Sequence, residues 1–240
     1  LDHYKLLYLI EKIHKQIPIK KISFTGGEPS LLLTSLLIVS KEIKEEIDPN
    51  IGLVLSTNGQ FLHDERNAQL LLNKFDSISI SCHHFDSEIN ESLMGCKSFK
   101  HSDLQKYVKN YSNKIHLSCN IIKNGIESVS NIDKYLNYFG NLGVNDFGFV
   151  GLMKGNDYCK NNYIDINSLD LTKLKNCIKT KTFNKSNICN CSNYLKYDDN
   201  GNILKLYIRQ NNNPDCNENI LVYDENFLKT GFDIHAKILY

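Results

Sequence analysis

Apolar and polar positions along the chain follow two rhythms, and they take turns. Residues 2–16 carry Tyr4, Leu7, Tyr8, Ile10 and Ile13 at helical spacing. The short apolar run KKISFT (20–25) follows and reads as a strand. The pattern then predicts helices over 31–46, 64–74, 102–111, 130–141 and 168–179, with Asp64 as a cap for the second of these. Between them it predicts strands over 51–57, 77–84, 114–122 and 146–153. Strands alternating with helices in this way imply βαβ units and a parallel sheet, as a barrel or as a doubly wound sheet.

Two strands refine that choice. SISISCHH (77–84) sets Ser79, Ser81 and His83 on one face and Ile78, Ile80 and Cys82 on the other. KIHLSCN repeats the arrangement, with His116, Ser118 and Asn120 opposite Ile115, Leu117 and Cys119. A parallel strand covered on both faces should be apolar on both. A polar face favours an open or partial barrel whose inside is a site and not a packed core.

Beyond about residue 181 the rhythm changes. NYLKYDDNGNILKLYI (193–208) places Asp199-Asn200-Gly201 between two alternating runs, which predicts a β-hairpin. Residues 210–219 form a polar loop, and the tail from Ile220 adds a strand or lies across the barrel.

Composition narrows the function classes. The chain has 240 residues, 41% of them hydrophobic, and a net charge of +1. That size suits one large domain or two small ones. The balanced charge gives no footprint for nucleic acid or an anionic membrane. No apolar run reaches the ~18 residues of a membrane span, and no signal peptide is present. Eight cysteines without a secretory signal point to reduced thiols in a cytoplasmic protein, either core residues or metal ligands.

The candidate chemistry centres on TGGEP. Gly26 and Gly27 follow the first strand at its C-terminal end, where α/β and barrel proteins keep their sites. Glycines let backbone groups approach a ligand closely. Glu28 offers a carboxylate to an ammonium, and Pro29 stiffens the exit into the next helix.

The order TGGEP, then STNG (56–59), then SIS with His83 two residues beyond, then a strand ending in Lys-Asn-Gly, resembles the radical S-adenosylmethionine (radical SAM) enzymes. It is most similar to the subgroup of the molybdenum-cofactor GTP cyclase and the peptide-modifying maturases, over roughly residues 1–155. The resemblance implies a partial (β/α)6 TIM-like barrel lacking its first strand, strands 2–6 lying within residues 1–180. Residues 181–240 would be a small β-containing C-terminal extension that covers substrate or binds an auxiliary cluster. It further implies that Gly26, Gly27 and Glu28 hold the amino group of SAM, with Pro29 shaping the turn. Thr57 and Asn58 match the next strand end, and Ser81 approaches the ribose or carboxylate. Asn120, Leu152 and Met153 line the ribose and adenine, and His83 touches substrate. The implied activity is reductive cleavage of SAM to a 5′-deoxyadenosyl radical that abstracts hydrogen from a small molecule or peptide. An electron donor such as flavodoxin or ferredoxin is the implied partner.

The family's Cys-x3-Cys-x2-Cys loop, which binds a [4Fe–4S] cluster through soft thiolates, has no counterpart here. No cysteine precedes Cys82. The expectation is that this loop and the first strand lie upstream of Leu1. The alternative is a cluster-less SAM-binding or partner-binding homologue. An unrelated barrel that binds phosphate or a metabolite at Gly26-Gly27 is a third reading. Cys189, Cys191 and Cys216, with Cys159, are candidates for an auxiliary cluster or are ordinary thiols; their spacing matches no paired zinc pattern. Cys82, Cys119 and Cys177 fall on apolar faces and are expected in the core, while Cys96 has no assignment. His83 and His84, adjacent on a strand, point to opposite faces and cannot chelate together. Asp157 and Tyr158 follow the last strand of the barrel, where they line the substrate mouth or face solvent.

Overall fold

A computed structural model of the chain describes residues 2–182, 192–197, 201–209, 220–224, 227–230 and 237–239. Helix α1 spans His3–Gln16, capped by the Asp2 side chain, which accepts from Lys5 N–H at 3.0 Å. Strand β1 (Lys21–Phe24) leads through a 3-10 turn at Pro29–Leu32 into α2 (Leu33–Glu42), which runs on as a wider π turn over Ile43–Ile47. Next come β2 (Gly52–Thr57), α3 (Glu65–Lys74) and β3 (Ser77–Ser81). Asp64 caps α3 as expected, accepting from Asn67 N–H at 2.9 Å. Two helices separate β3 from β4 (Ile115–Ile121): α4 (Ser87–Met94), which the apolar pattern missed, and α5 (His101–Tyr111). Helix α6 (Val129–Asn141), β5 (Asp146–Gly151) and the short α7 (Asp157–Asn161) complete the alternating section.

The helix expected over 168–179 does not form. Two 3-10 turns, Ile166–Ser168 and Leu171–Lys173, lead into strand β6 (Cys177–Thr182). Asp165 and Asp170 each bond to a backbone N–H two residues on, a local alternative to helical bonding. Asn176 then takes a left-handed conformation with φ of 52°, which stops any helix. The β-branched alternation of Cys177–Thr182 pairs instead with β7 (Ser192–Tyr197).

The expected hairpin does form, β7 pairing antiparallel with β8 (Ile203–Arg209). It is not set apart from the barrel section. One sheet runs β1-β2-β3-β4-β5-β8-β7-β6, with β8 parallel to β5. A two-stranded hairpin, β9 (Val222–Asp224) with β10 (Phe227–Lys229), lies outside it. Among the described residues the sheet is not closed into a full barrel, and no helix is long and apolar enough to cross a membrane.

Register explains the layering. Leu55 pairs with Ile78, Ile78 with Ile115, Leu117 with Phe147, and Phe147 with Leu206. One continuous apolar face therefore spans β2 to β8. It is buried with Val39 of α2, Leu71 of α3, Leu104 of α5 and Phe139 of α6. Sequential parallel strands with all their helices on one face are the winding of a barrel, not of a doubly wound sheet. The opposite face carries the polar set: Ser79, Ser81, His116, Ser118 and Asn120 are each only half-buried.

The hairpin is fixed from both faces. On the helix side the Lys196 ammonium, 2% exposed, donates to Asp133 Oδ1 of α6 at 2.9 Å and to the Lys175 carbonyl at 2.8 Å. On the polar side the Tyr207 ring lies over Gly148, where an added Cβ would come within 2.4 Å of it. The same ring stacks on His116 with centroids 5.4 Å apart and planes 2° apart.

Candidate functional site

Gly26 and Gly27 follow β1 in an exposed bend with φ of 92° and 53°, a region that side chains resist. A Cβ placed on either would meet nothing within 4 Å, so their backbone is open to a ligand. Glu28 caps the following 3-10 turn, its Oε1 accepting from Ser30 N–H at 3.0 Å, and Pro29 is buried as the turn's first residue.

The carboxylate of Glu28 does more than cap. Oε1 also accepts from the Thr57 hydroxyl at 2.7 Å, and Oε2 accepts from Asn58 N–H at 2.7 Å. The turn after β1 is thus bolted to the end of β2. Thr57 Oγ1 accepts in turn from Gly59 N–H at 3.1 Å, and Asn58 Oδ1 accepts from Gln60 N–H at 2.9 Å. The Asn58 amide also lies 3.9 Å from the Cys96 thiol, so the unassigned cysteine borders this turn.

Farther along the strand ends, Ser81 closes β3 on the polar face, opposite Ser118. Asn120 N–H donates to His83 Nδ1 at 3.2 Å. Burial pushes the His83 pKa down to about 4, so at neutral pH the ring is uncharged. The Asn120 side-chain nitrogen Nδ2 lies 3.4 Å from Nε2 of the same ring. The His83 backbone N–H is held by Asn90 of α4 at 2.6 Å, and Asn90 also donates to Ser98 Oγ. His84 faces the other way, buried and stacked on Phe85, as strand alternation requires.

The structure therefore joins Glu28, Thr57 and Asn58 directly, and His83 to Asn120, all at the C-terminal ends of parallel strands. Leu152 and Met153 lie just past β5, Leu152 buried and Met153 46% exposed. Cys82 and Cys119 are core thiols; burial pushes Cys82 up to about 12 and Cys119 well above the usual range. Cys177 is half-buried against the core. Asp157 and Tyr158 open α7 and are exposed. Cys189, Cys191 and Cys216 lie outside the described residues. Among the described residues no three Cys, His, Asp or Glu side chains converge to hold a metal ion. The polar face also includes Tyr207 and Arg209 of β8, which the strand-by-strand reading overlooked; the alternation of ILKLYIR was the available signal.

A family model described as the radical SAM superfamily matches residues 2–137. Among solved structures, SuiB of Streptococcus suis is 21% identical over 65% of this chain and 35% of its own, with a TM-score of 0.51. SuiB bound to S-adenosylmethionine aligns with 19% identity over 66% of this chain and 35% of its own, with a TM-score of 0.49. A domain of the pyruvate-formate lyase-activating enzyme from Bacteroides vulgatus is 13% identical over 61% of this chain and 86% of its own, with a TM-score of 0.48. At such identities the likeness is one of fold. The chain spans about a third of the length of SuiB. No curated protein matches it.

Proposed function

The chain belongs to the radical SAM superfamily, and on that premise we propose that it is the SAM-binding core of an enzyme that reductively cleaves S-adenosylmethionine. The resulting 5′-deoxyadenosyl radical would take hydrogen from a small-molecule or peptide substrate at the barrel mouth. A flavodoxin or ferredoxin would serve as electron donor. The observation that carries this reading is the three-point hold of Glu28 on Ser30, Thr57 and Asn58 beside two open left-handed glycines.

The site residues fit SAM. The exposed backbone of Gly26 and Gly27 leaves room for the methionine amino group, and Glu28 supplies negative charge beside it. Ser81 faces the ribose or carboxylate, while Asn120 and the Leu152–Met153 segment take the ribose and adenine. The described residues do not fit a [4Fe–4S] cluster, because no thiolate set converges among them. The chain's own part is therefore to bind and orient SAM and to shield it from water.

Calorimetry tests the reading. Saturable heat with SAM is expected from the native chain and is lost in Glu28→Gln; no saturable heat from the native chain overturns it. Anaerobic reduction of the iron-loaded protein, with 5′-deoxyadenosine as the readout, separates cleavage from the alternative of a cluster-less SAM-binding homologue.

A further inference from the structure

Asn90 of α4 is 0% exposed, and its side chain bonds outside the helix that carries it. Oδ1 accepts from His83 N–H at 2.6 Å, and Nδ2 donates to Ser98 Oγ at 2.9 Å. This orientation of the amide is forced, because an NH2 cannot face the His83 N–H.

What Asn90 holds is a break in the sheet. Cys82 N–H donates to the Ser118 carbonyl at 2.9 Å, one residue past the end of β3. In an evenly spaced parallel ladder the next bond would run from Asn120 N–H to the Cys82 carbonyl. That carbonyl accepts from the Tyr135 hydroxyl at 2.9 Å instead, and Asn120 N–H donates to the His83 ring at Nδ1. The imidazole thus replaces a backbone carbonyl where β3 and β4 part. An acceptor there must carry no proton on Nδ1, as the buried, uncharged ring allows. A side chain can rotate out of such a place, whereas a carbonyl of a strand cannot. The Asn90 bond fixes the backbone from which the ring departs.

The other end of the Asn90 amide is anchored toward the turn after β2. Ser98 N–H donates to Glu91 Oε1 at 2.9 Å, and the Lys97 carbonyl accepts from Gln60 Nε2 at 2.7 Å. Phe99, 1% exposed, lies against Gly59, where an added Cβ would come within 2.7 Å of its ring. Gln60 N–H in turn donates to Asn58 Oδ1. Asn58 on one side, and His83 with Asn120 on the other, therefore share one support.

We infer that Asn90 is a positioning residue of the SAM site: by fixing the backbone of His83 it keeps the imidazole on Asn120 N–H, and so keeps Asn120 aimed at the ligand. Asn90 itself touches no ligand. The inference rests on the SAM-site reading above.

The full chain is compared with Asn90→Leu, which keeps most of the volume and removes both bonds. SAM is titrated calorimetrically under conditions where each variant is fully folded, so that stability does not enter the affinity. Asn90→Leu should weaken SAM about tenfold, the equivalent of one lost hydrogen bond. In a His83→Ala background the same substitution should cost less than about twofold, because its effect runs through the ring. Hydrogen exchange gives a second reading. The Asn120 amide should exchange about tenfold faster in Asn90→Leu, while Leu117, in the middle of the same strand, keeps its rate. Ser98→Ala frees one end of the amide and should show both effects in smaller degree; it carries the test if Asn90→Leu does not fold. Unchanged SAM affinity, an equal loss with and without His83, or joint acceleration of Asn120 and Leu117 overturns the inference while the SAM-site reading stands. No heat from the native chain removes the SAM-site reading itself, and the inference with it.

Discussion

The carboxylate of Glu28 crosses from the turn after β1 to accept the backbone N–H of Asn58, thirty residues along the chain, at 2.7 Å. The other oxygen takes Ser30 N–H and the Thr57 hydroxyl. Every one of these partners donates, so the group must be acceptor-only on both oxygens. Glu28→Gln sets an NH2 against at least one donor. A loss of about 1.5–3 kcal/mol is expected, the range for hydrogen bonds to a charged group. Urea denaturation measures it, and an unchanged midpoint would sink the claim that this carboxylate joins the two strand ends.

His83 makes stability pH-dependent in a stated direction. Its folded pKa is held near 4 by burial, below the ordinary 6.5. Between those values the unfolded chain binds a proton that the folded chain excludes. Stability is therefore complete above pH 6.5 and falls as pH drops toward 4, by roughly 3 kcal/mol if His83 acted alone. Burial lowers His84 and His101 as well, in the same sense. Denaturation midpoints at pH 7, 5.5 and 4.5 should decline, and His83→Gln should decline less steeply.

Gly148→Ala tests the close approach of Tyr207. The new Cβ would lie 2.4–2.6 Å from the ring and hydroxyl, too near for the ring to remain. Overpacking of this kind costs about 1–3 kcal/mol. The near-ultraviolet circular dichroism of the tyrosines should change with the melting temperature. Tyr207→Leu in the same chain should recover part of the loss.

Lys196 and Asp133 form a buried pair, 2% and 13% exposed. Lys196→Met leaves the carboxylate with the single Lys175 N–H, at 3.3 Å, and should destabilise by about 3 kcal/mol. Lys196→Met with Asp133→Leu should be less damaging than Lys196→Met alone, because no unpaired charge is left buried. A double-mutant cycle in urea reads the difference.

Most of the strands were legible because each carries its own evidence. Ile78, Ile80 and Cys82 against Ser79, Ser81 and His83 declare two faces with no help from elsewhere. The turn at Gly26-Gly27 was legible for the same reason. The hold of Glu28 on Thr57 and Asn58 was not, since nothing local to either segment requires it. Residues 168–179 misled because Leu171, Leu174 and Ile178 are spaced as on a helix, while their bonding is decided by Asp133 and by β7. The placement of β8 beside β5, and with it Arg209, depends on a pairing between residues such as Val150 and Arg209 that no window of sequence contains.

That pairing also has a history in time. Strands β2 to β5 each join the neighbour that precedes them, so the sheet can grow in the order of the chain. β8 must come back across the whole of α7 and β6, and the Lys196–Asp133 bond closes a loop of 63 residues. Long closures lose more chain entropy before any contact repays it, and they form late. The hairpin is thus expected to dock last and to release first, with amide exchange faster in β8 than in β3. While it is away, β5 is left as a bare edge with Phe147 and Phe149 beside it, a nascent strand surface open to wrong partners. The strands that extend the sheet beyond β5 are, on this account, also the last to be built.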